Sequence, residues 1–487
     1  MSIAIVWFRR DLRLTDHPAL QAALSAGHQV VPVYIHSPDE EKPWQPGGAS
    51  RWWLHRSLQA LSADLQQRGS RLILRRGSAL EQLRQIARET GASAIHWNRL
   101  YEPALIARDT QIKSALRDEG LEVESHSGNV MFEPWAVKSG AGTPFRVFTP
   151  FWKHCLTRLD EIPRPIPAPV SLQPVAGWPP SDTLESLDLN PTIRWDQGLE
   201  SMWTPGEAAA FDRLEQFLDQ DAGHYREQRD RPDLPATSRL GAALHFGEIS
   251  ARQVLTAGRS ALASAPAGDS AGIESFIREL GWREFAIHVL YAFPHTPESP
   301  LDARFKHLPW ASDPVILDAW KRGQTGIPLV DAGMRQLWHT GWMHNRVRMV
   351  VGSLLTKNLG QHWLEGARWF YDTLVDADLA ANTLGWQWTA GCGADAAPYY
   401  RIFNPILQSE RFDPGRAYIR RWIPEISRLP DAWIHKPYDA PANVLSASGV
   451  VLGRDYPRPI VDLSASRDRA LAAYEPVKAA KNAEAAK

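Results

Sequence analysis

The chain has 487 residues, 44% hydrophobic and 22% charged, a balance that suits a folded protein of more than one domain and excludes a disordered or collagen-like chain. Two cysteines, Cys155 and Cys392, exclude a disulfide framework, a four-cysteine zinc site and a cysteine-held iron–sulfur cluster, and point to a reducing compartment. Lys+Arg 54 against Asp+Glu 55 gives a formal net charge of −1, so a polyanion would have to be met by a local basic patch rather than by a basic surface.

The N-terminus, MSIAIVWFRRDLRL, has a five-residue apolar run stopped by Arg9 and Arg10, and no stretch reads as long enough to cross a bilayer; a cytoplasmic protein is expected. To about residue 130 short apolar runs (IAIVWF, VVPVYIH, RLILRRG, AIHWN, LEVESH) alternate with amphipathic stretches at Ser50 to Arg68, Ala79 to Thr90 and Ala107 to Glu119. This is βαβ repetition, hence an α/β domain with a doubly wound parallel sheet over 1–130. No G-x-G-x-x-G follows the first run; Arg9, Arg10 and Asp11 stand there instead, so no nicotinamide is assigned. Residues 131–204, Pro-rich from about 160, read as an interdomain linker. Thr204-Pro205-Gly206-Glu207 reads as a capping box opening a large all-helical domain over 205–440. A short C-terminal tail, 441–487, ends in an Ala/Lys/Glu run expected to fray.

Within the helical domain four segments could carry chemistry. Tyr225 and Arg229 precede Thr237-Ser238-Arg239-Leu240-Gly241, whose hydroxyls, backbone N–H groups and arginine suit a phosphate, although the same residues would serve as a simple helix cap. Gly272 to Tyr291 reads as a helix with Glu279, Trp282 and Arg283 grouped off its apolar stripe; the group suits a planar polar ligand, or is a surface ion pair beside a packed indole. Asp331 to Leu359 reads as one helix, with Met343, Val347, Val350 and Leu354 facing the core and Trp342, Asn345 and Met349 on the opposite face beside Arg346 and Arg348. His344 has no second histidine at helical spacing, and without H-E-x-x-H or C-x-x-C no metal is expected. Densest is Asp376 to Pro405, where Asp376, Asp378 and Asn382 read as falling within two helical turns and Trp386 and Trp388 as flanking a glycine-broken turn. Those aspartates suit acid–base work or ion pairs with arginine, and the tryptophans, with Trp310 and Trp363, a core or an electron-hopping path.

Taken together, W-F-R-R-D-L-R-L-T-D-H at 7–17, T-S-R-L at 237–240, W-R-E-F at 282–285, G-W-M-H-N-R at 341–346, D-A-D-L-A-A-N…G-W-Q-W at 376–388 and A-A-P-Y-Y-R-I-F-N-P at 396–405 resemble the DNA photolyase/cryptochrome family, from residue 1 to about 440. The resemblance implies an antenna-binding α/β domain, a linker and a helical domain holding FAD. It places Tyr225, Thr237, Ser238, Arg239, Leu240 and Gly241 at the FAD phosphates. It pairs Asp376 with Arg348 beside the flavin, sets Asp378 at the isoalloxazine edge and Asn382 at flavin N5. Trp386, Trp363 and Trp310 correspond to a photoreduction chain, in that order outward. Glu279, Trp282, Asn345, Met349 and Trp388 line a lesion pocket, with Arg283, Arg346 and Arg401 near the DNA backbone.

The activity so implied is light-driven repair of cyclobutane pyrimidine dimers in UV-damaged DNA, by electron transfer from excited reduced FAD to a flipped-out lesion; extrusion of the damaged base is a general property of photolyases. Asn345 and Met349 stand where enzymes for (6-4) photoproducts carry a His pair, which favours dimer repair. Residues 97–152 look like plant cryptochromes and bacterial class III dimer photolyases, which implies a methenyltetrahydrofolate antenna with Glu102 as its contact. The alternative is a cryptochrome-type blue-light sensor; plant sensors place an ionisable Asp where Asn382 stands and usually carry a long output extension. A monomer is expected.

Overall fold

The computed structural model describes residues 2–485 apart from 267 and 398, and for 481–485 the backbone only. By internal contacts the chain forms two compact units: the first runs to Arg226 and includes Thr237–Pro294 and Val375–Ala380, the second comprises Glu227–Ala236, His295–Leu374 and the chain from Ala381.

The first unit is built on five parallel strands, β1 (Ile3–Phe8), β2 (Gln29–His36), β3 (Ile73–Arg76), β4 (Ala94–Asn98) and β5 (Glu122–His126), in the order β3-β2-β1-β4-β5. Each of the five runs yields one strand: β1 and β2, covered on both faces, read as continuous hydrophobic stretches, while the edge strand β5 buries only Val123. Ile5, Trp7, Val31, Val33, Ile95, Trp97 and Val123 share one core with Leu83 and Ile86 of the helix Ala79–Thr90 and Ile112 and Leu116 of the helix Pro103–Asp118. The second of these helices begins four residues before the expected Ala107, since Pro103 at its first turn has no N–H to lose.

Residues 131–204, expected as a linker, lie within the first unit and are less irregular than their composition suggests. Phe148–Leu156 is a helix whose Trp152 packs so closely on Gly281 that a Cβ there would meet the indole. Further on, Leu172 N and Asp182 N donate to the carbonyls of Arg68 and Leu74, and Val175 joins the sheet core. The expected capping box does not form: the N-cap of Glu207–Gln220 is Gly206 at φ 124, and the Glu207 carboxylate accepts instead from Leu14 N and Thr15 N at 2.7 and 2.9 Å.

The second unit is helical. The helix expected from Asp331 to Leu359 is two, Pro328–Thr340 and Asn345–Ser353, separated at Gly341 in the left-handed conformation and continued by a π turn over Leu354–Asn358. His344 is the cap of the second helix, accepting from Arg346 N at 3.2 Å. The tail expected to fray is a helix, Leu463–Ala485, with Ser466, Ala470 and Val477 buried and Tyr474 stacked on Tyr400 at 4.3 Å. Pro398, inside the 396–405 motif, lies outside the described residues.

Candidate functional site

Within the first unit, Tyr225 is buried and sits edge-on to Phe217 and Phe276, with ring centroids 5.7 and 6.0 Å away. Thr237, Ser238 and Arg239 are half-buried, and Arg239 adopts φ +52, so the chain turns sharply just before the short helix Gly241–His245. At Gly241 a Cβ would lie 2.9 Å from Asp376 Oδ2; the missing side chain is what lets this backbone and the carboxylate approach. Asp376 and Asp378 stand in the turn before the helix Leu379–Ala390 rather than within it, and Asp378 Oδ2 is 3.5 Å from Nδ1 of buried His245. His245 and Asp378 also line a small open pocket with Arg10, Tyr101, Glu102, Asn129 and Arg283. Glu102 is committed there: it is ion-paired with Arg10, and its Oε2 accepts from Tyr101 N at 3.2 Å.

Glu279, Trp282 and Arg283 share the helix Ser270–Ala292. Trp282 is half-buried, stacked on Phe148 at 3.7 Å and 8° and in edge contact with Phe285 at 5.9 Å. Arg283 faces inward, donating to Asn129 O at 2.9 Å and pairing with Glu284 at 3.1 Å. Burial pushes Glu284 up to about 7 although Arg283 and the N–H groups of Met131 and Phe132 oppose it.

In the second unit, Asn345 is exposed and Met349 half-buried on the helix Asn345–Ser353, whereas Trp342 precedes that helix and is buried, so the three do not share one face. Arg348 donates from Nε to Met343 O at 2.7 Å. Arg346 is held by Asp230 at 2.8 Å and lies over Phe412. Arg401 is exposed, with no carboxylate partner among the described residues.

Asn382 donates from Nδ2 to Ala367 O at 3.0 Å, and Trp388 from Nε1 to Asp395 O at 3.0 Å. The expected break near Gly385 does not occur; the helix runs through Trp386 and Trp388. Buried Trp386 packs on Gly366, where any Cβ would collide with its indole, and makes edge contacts with Phe370 and Trp320 at 4.9 and 6.1 Å. Buried Trp363 and half-buried Trp310 are joined through His362, whose ring centroid is 5.6 Å from the first and 4.9 Å from the second. Sequence reading missed His362, Phe370, Gly366 and Asp230. The G-x-x-x-F spacing of 366–370 was the available sign of a helix face shaped around a neighbouring ring.

The 237–241 segment fits the phosphate end of FAD: two hydroxyls and a guanidinium suit the pyrophosphate, and the side-chain-free Gly241 lets backbone approach.

The chain matches two family descriptions, "DNA photolyase" over residues 4–170 and "FAD binding domain of DNA photolyase" over 276–476. It is 48% identical over 97% of its length to a deoxyribodipyrimidine photo-lyase of Agrobacterium fabrum, covering 98% of that protein, and 40% identical over 96% of its length to cryptochrome-1 of Arabidopsis thaliana, covering 69% of it. A crystal structure of a bacterial class III photolyase from Agrobacterium tumefaciens superposes with a TM-score of 0.94 at 47% identity, covering 98% of each chain.

Proposed function

Since the chain belongs to the DNA photolyase/cryptochrome family, we propose that it is a deoxyribodipyrimidine photo-lyase of the class III type, which binds UV-damaged DNA and repairs cyclobutane pyrimidine dimers in blue light. The observation that carries the choice of enzyme over sensor is Asn382. Its amide, fixed on Ala367 O, has no proton to give at any ordinary pH, whereas a sensor of the plant type uses a carboxyl there.

Bound FAD supplies the light-driven electron for ring splitting. Thr237, Ser238 and Arg239 would hold the phosphates, with Tyr225 and Leu240 bounding the same segment and Gly241 admitting the backbone. Asp378 would accept from the flavin edge, Asn382 would offer Oδ1 as an acceptor at N5, and Arg348 and Asp376 would set the charge around the ring. Glu279 hydrogen-bonds one pyrimidine of the extruded dimer. Trp282, stacked on Phe148, and Trp388, with its indole N–H occupied by Asp395, pack against that dimer; Asn345 and Met349 complete the pocket wall. Trp386, Trp363 and Trp310 would supply the path for photoreduction of the bound cofactor.

Of the three arginines assigned to the DNA backbone, Arg401 carries the largest share, because Arg283 and Arg346 each have a carboxylate partner. The antenna is methenyltetrahydrofolate, with Glu102 as a contact through the carboxylate lone pairs that Arg10 and Tyr101 leave. Cys155 and Cys392 are buried free thiols, as suits a monomeric enzyme of the reducing cytoplasm, and no helix among the described residues is long and apolar enough to cross a membrane.

The test is repair of a thymine-dimer oligonucleotide and, separately, a (6-4) oligonucleotide by the purified, reduced holoprotein, in blue light and in darkness, with products separated by chromatography. Light-dependent restoration of the dimer alone is expected. A photoreducible flavoprotein that restores neither substrate is a sensor, and the proposal falls.

A further inference from the structure

A second cluster of chemistry lies far along the sequence from the flavin and lesion residues, on the outer strands of the sheet. In the parallel register His96 of β4 pairs with Glu124 of β5, and Asn98 with His126. Alternation along a strand puts residues 96, 124 and 126 on one face, opposite the Ile95, Trp97 and Val123 side chains of the hydrophobic core. Two imidazoles and a carboxylate are thus brought together by strand pairing, at a spacing of two along β5 and one register step across to β4. Searching for helical H-E-x-x-H or paired cysteines does not detect such a set.

His96 Nδ1 and His126 Nε2 face one another at 3.1 Å, and the nearer Glu124 oxygen is 4.0 Å from the first and 3.7 Å from the second. Three ligand atoms, one from each side chain, lie within 4.8 Å of one another. We propose that His96, Glu124 and His126 form a binding site for a late first-row divalent cation of the zinc type, clamping β5 to β4.

Three observations support it. Two nitrogens bound to one tetrahedral zinc stand roughly 3.3 Å apart, close to the distance seen. The carboxylate must close by about half an ångström, which rotation of a side chain that is 49% exposed can supply. Two cations of the same region are engaged with other groups, Arg99 with Glu133 and Lys113 with the Ser125 hydroxyl.

The donor set of two imidazoles and one carboxylate leaves a fourth position for water, and it suits zinc better than magnesium or calcium, which prefer oxygen alone. The clamp also has a structural reason. β5 is an edge strand, paired only with β4, and three of its five residues, Glu122, Glu124 and His126, are polar and face away from the core.

The experiment uses the full-length flavoprotein, stripped with a chelator, equilibrated with zinc chloride, dialysed and assayed for metal by mass spectrometry. About one zinc per chain is expected to be retained by the native protein, none by His126→Ala, and less by Glu124→Gln. Zinc should raise the Tm of the native protein by roughly 5 °C at saturating concentration and leave that of His126→Ala unmoved. Glu124→Gln keeps the test open should His126→Ala fail to fold, because its side chain is half exposed and flavin absorbance reports its integrity. Equal zinc retention by native protein and folded variants overturns the site and leaves a hydrogen-bonded histidine pair in its place.

Discussion

The segments 7–17 and 376–388 both mark the family, yet their polar groups are used differently. In the first, Arg9, Asp11, Arg13, Asp16 and His17 are all buried, and each has its charge answered within the fold. Arg9 pairs with Asp109 at 2.7 Å, and Arg13 donates to the carbonyls of Asp16, Gly128 and Gly247 at 2.7–2.8 Å. Asp16 accepts from Ser250 and Arg252. Burial alone would raise Asp11, but His17 and Arg9 hold it down to about 2. In the second segment Asp376, Asp378, Asn382 and Trp388 are half-buried, and the amide of Asn382 is anchored at only one end. A strong family motif can therefore be architecture or machinery. The distinction is whether its polar groups are consumed by the fold or partly left for a ligand.

The sharpest way to break this comparison is Arg13→Met. It leaves three buried carbonyls without their donor and removes one of the two cations beside Asp16, which keeps Arg252, so a loss of about 3–5 kcal/mol in unfolding free energy is expected. Denaturant titration followed by tryptophan fluorescence measures it. A loss below about 1 kcal/mol would mean that the segment is not architectural.

The W-R-E-F motif holds both kinds of residue two positions apart, with Trp282 half-buried against Phe148 and Glu284 consumed by Met131 N and Phe132 N. Because the folded carboxyl of Glu284 titrates near 7, above its ordinary 4.5, its contribution to stability is fully present below about pH 4.5 and is lost as pH rises through about 7. Glu284→Gln should therefore flatten the fall in stability between those values, by roughly 1–3 kcal/mol at pH 8 relative to pH 4.5. Glu248, also raised to about 7 by burial, keeps the remaining slope. An unchanged slope in the Gln variant would show that Glu284 does not titrate in this window.

For the second region, Trp386→Phe tests machinery without removing an aromatic ring. Photoreduction of oxidised flavin should slow by roughly tenfold or more, while repair by protein reduced chemically beforehand stays within about twofold. Equal losses in both assays would make Trp386 a packing residue. Gly366→Ala gives the steric counterpart, since its Cβ must displace the Trp386 indole at a cost of about 1–3 kcal/mol.

The two regions were also unequally legible. Four strands could be read as short apolar runs, whereas the edge strand β5, with Val123 alone buried between alternating polar residues, was legible through its place in the βαβ repetition. The same period-two geometry hid His96, Glu124 and His126, for their association exists only once β4 and β5 are in register. In the helical unit, apolar periodicity found Met343, Val347, Val350 and Leu354 but ran one helix through Gly341, whose left-handed turn ends it. The aromatic surroundings of Trp386 come from residues 320, 366 and 370, and no local pattern connects these to position 386. The linker's helix Phe148–Leu156 was obscured by the proline-rich composition that follows it.

The smallest effect separates the arginines. Arg401 is exposed and lies over Phe403, whereas Arg346 must give up Asp230, or share it, to meet a phosphate. Arg401→Ala should lower the slope of log Kd against log salt by about 1 for dimer-containing DNA and weaken binding to undamaged DNA in parallel, because a phosphate contact carries no lesion information. Arg346→Ala should change the slope less and disturb the 345–349 helix start more, since Asp230 then loses its partner. If the two variants gave equal slopes, ion pairing within the folded chain would not be what sets an arginine's share of the DNA contact, and the division between consumed and available groups would fail where it is easiest to measure.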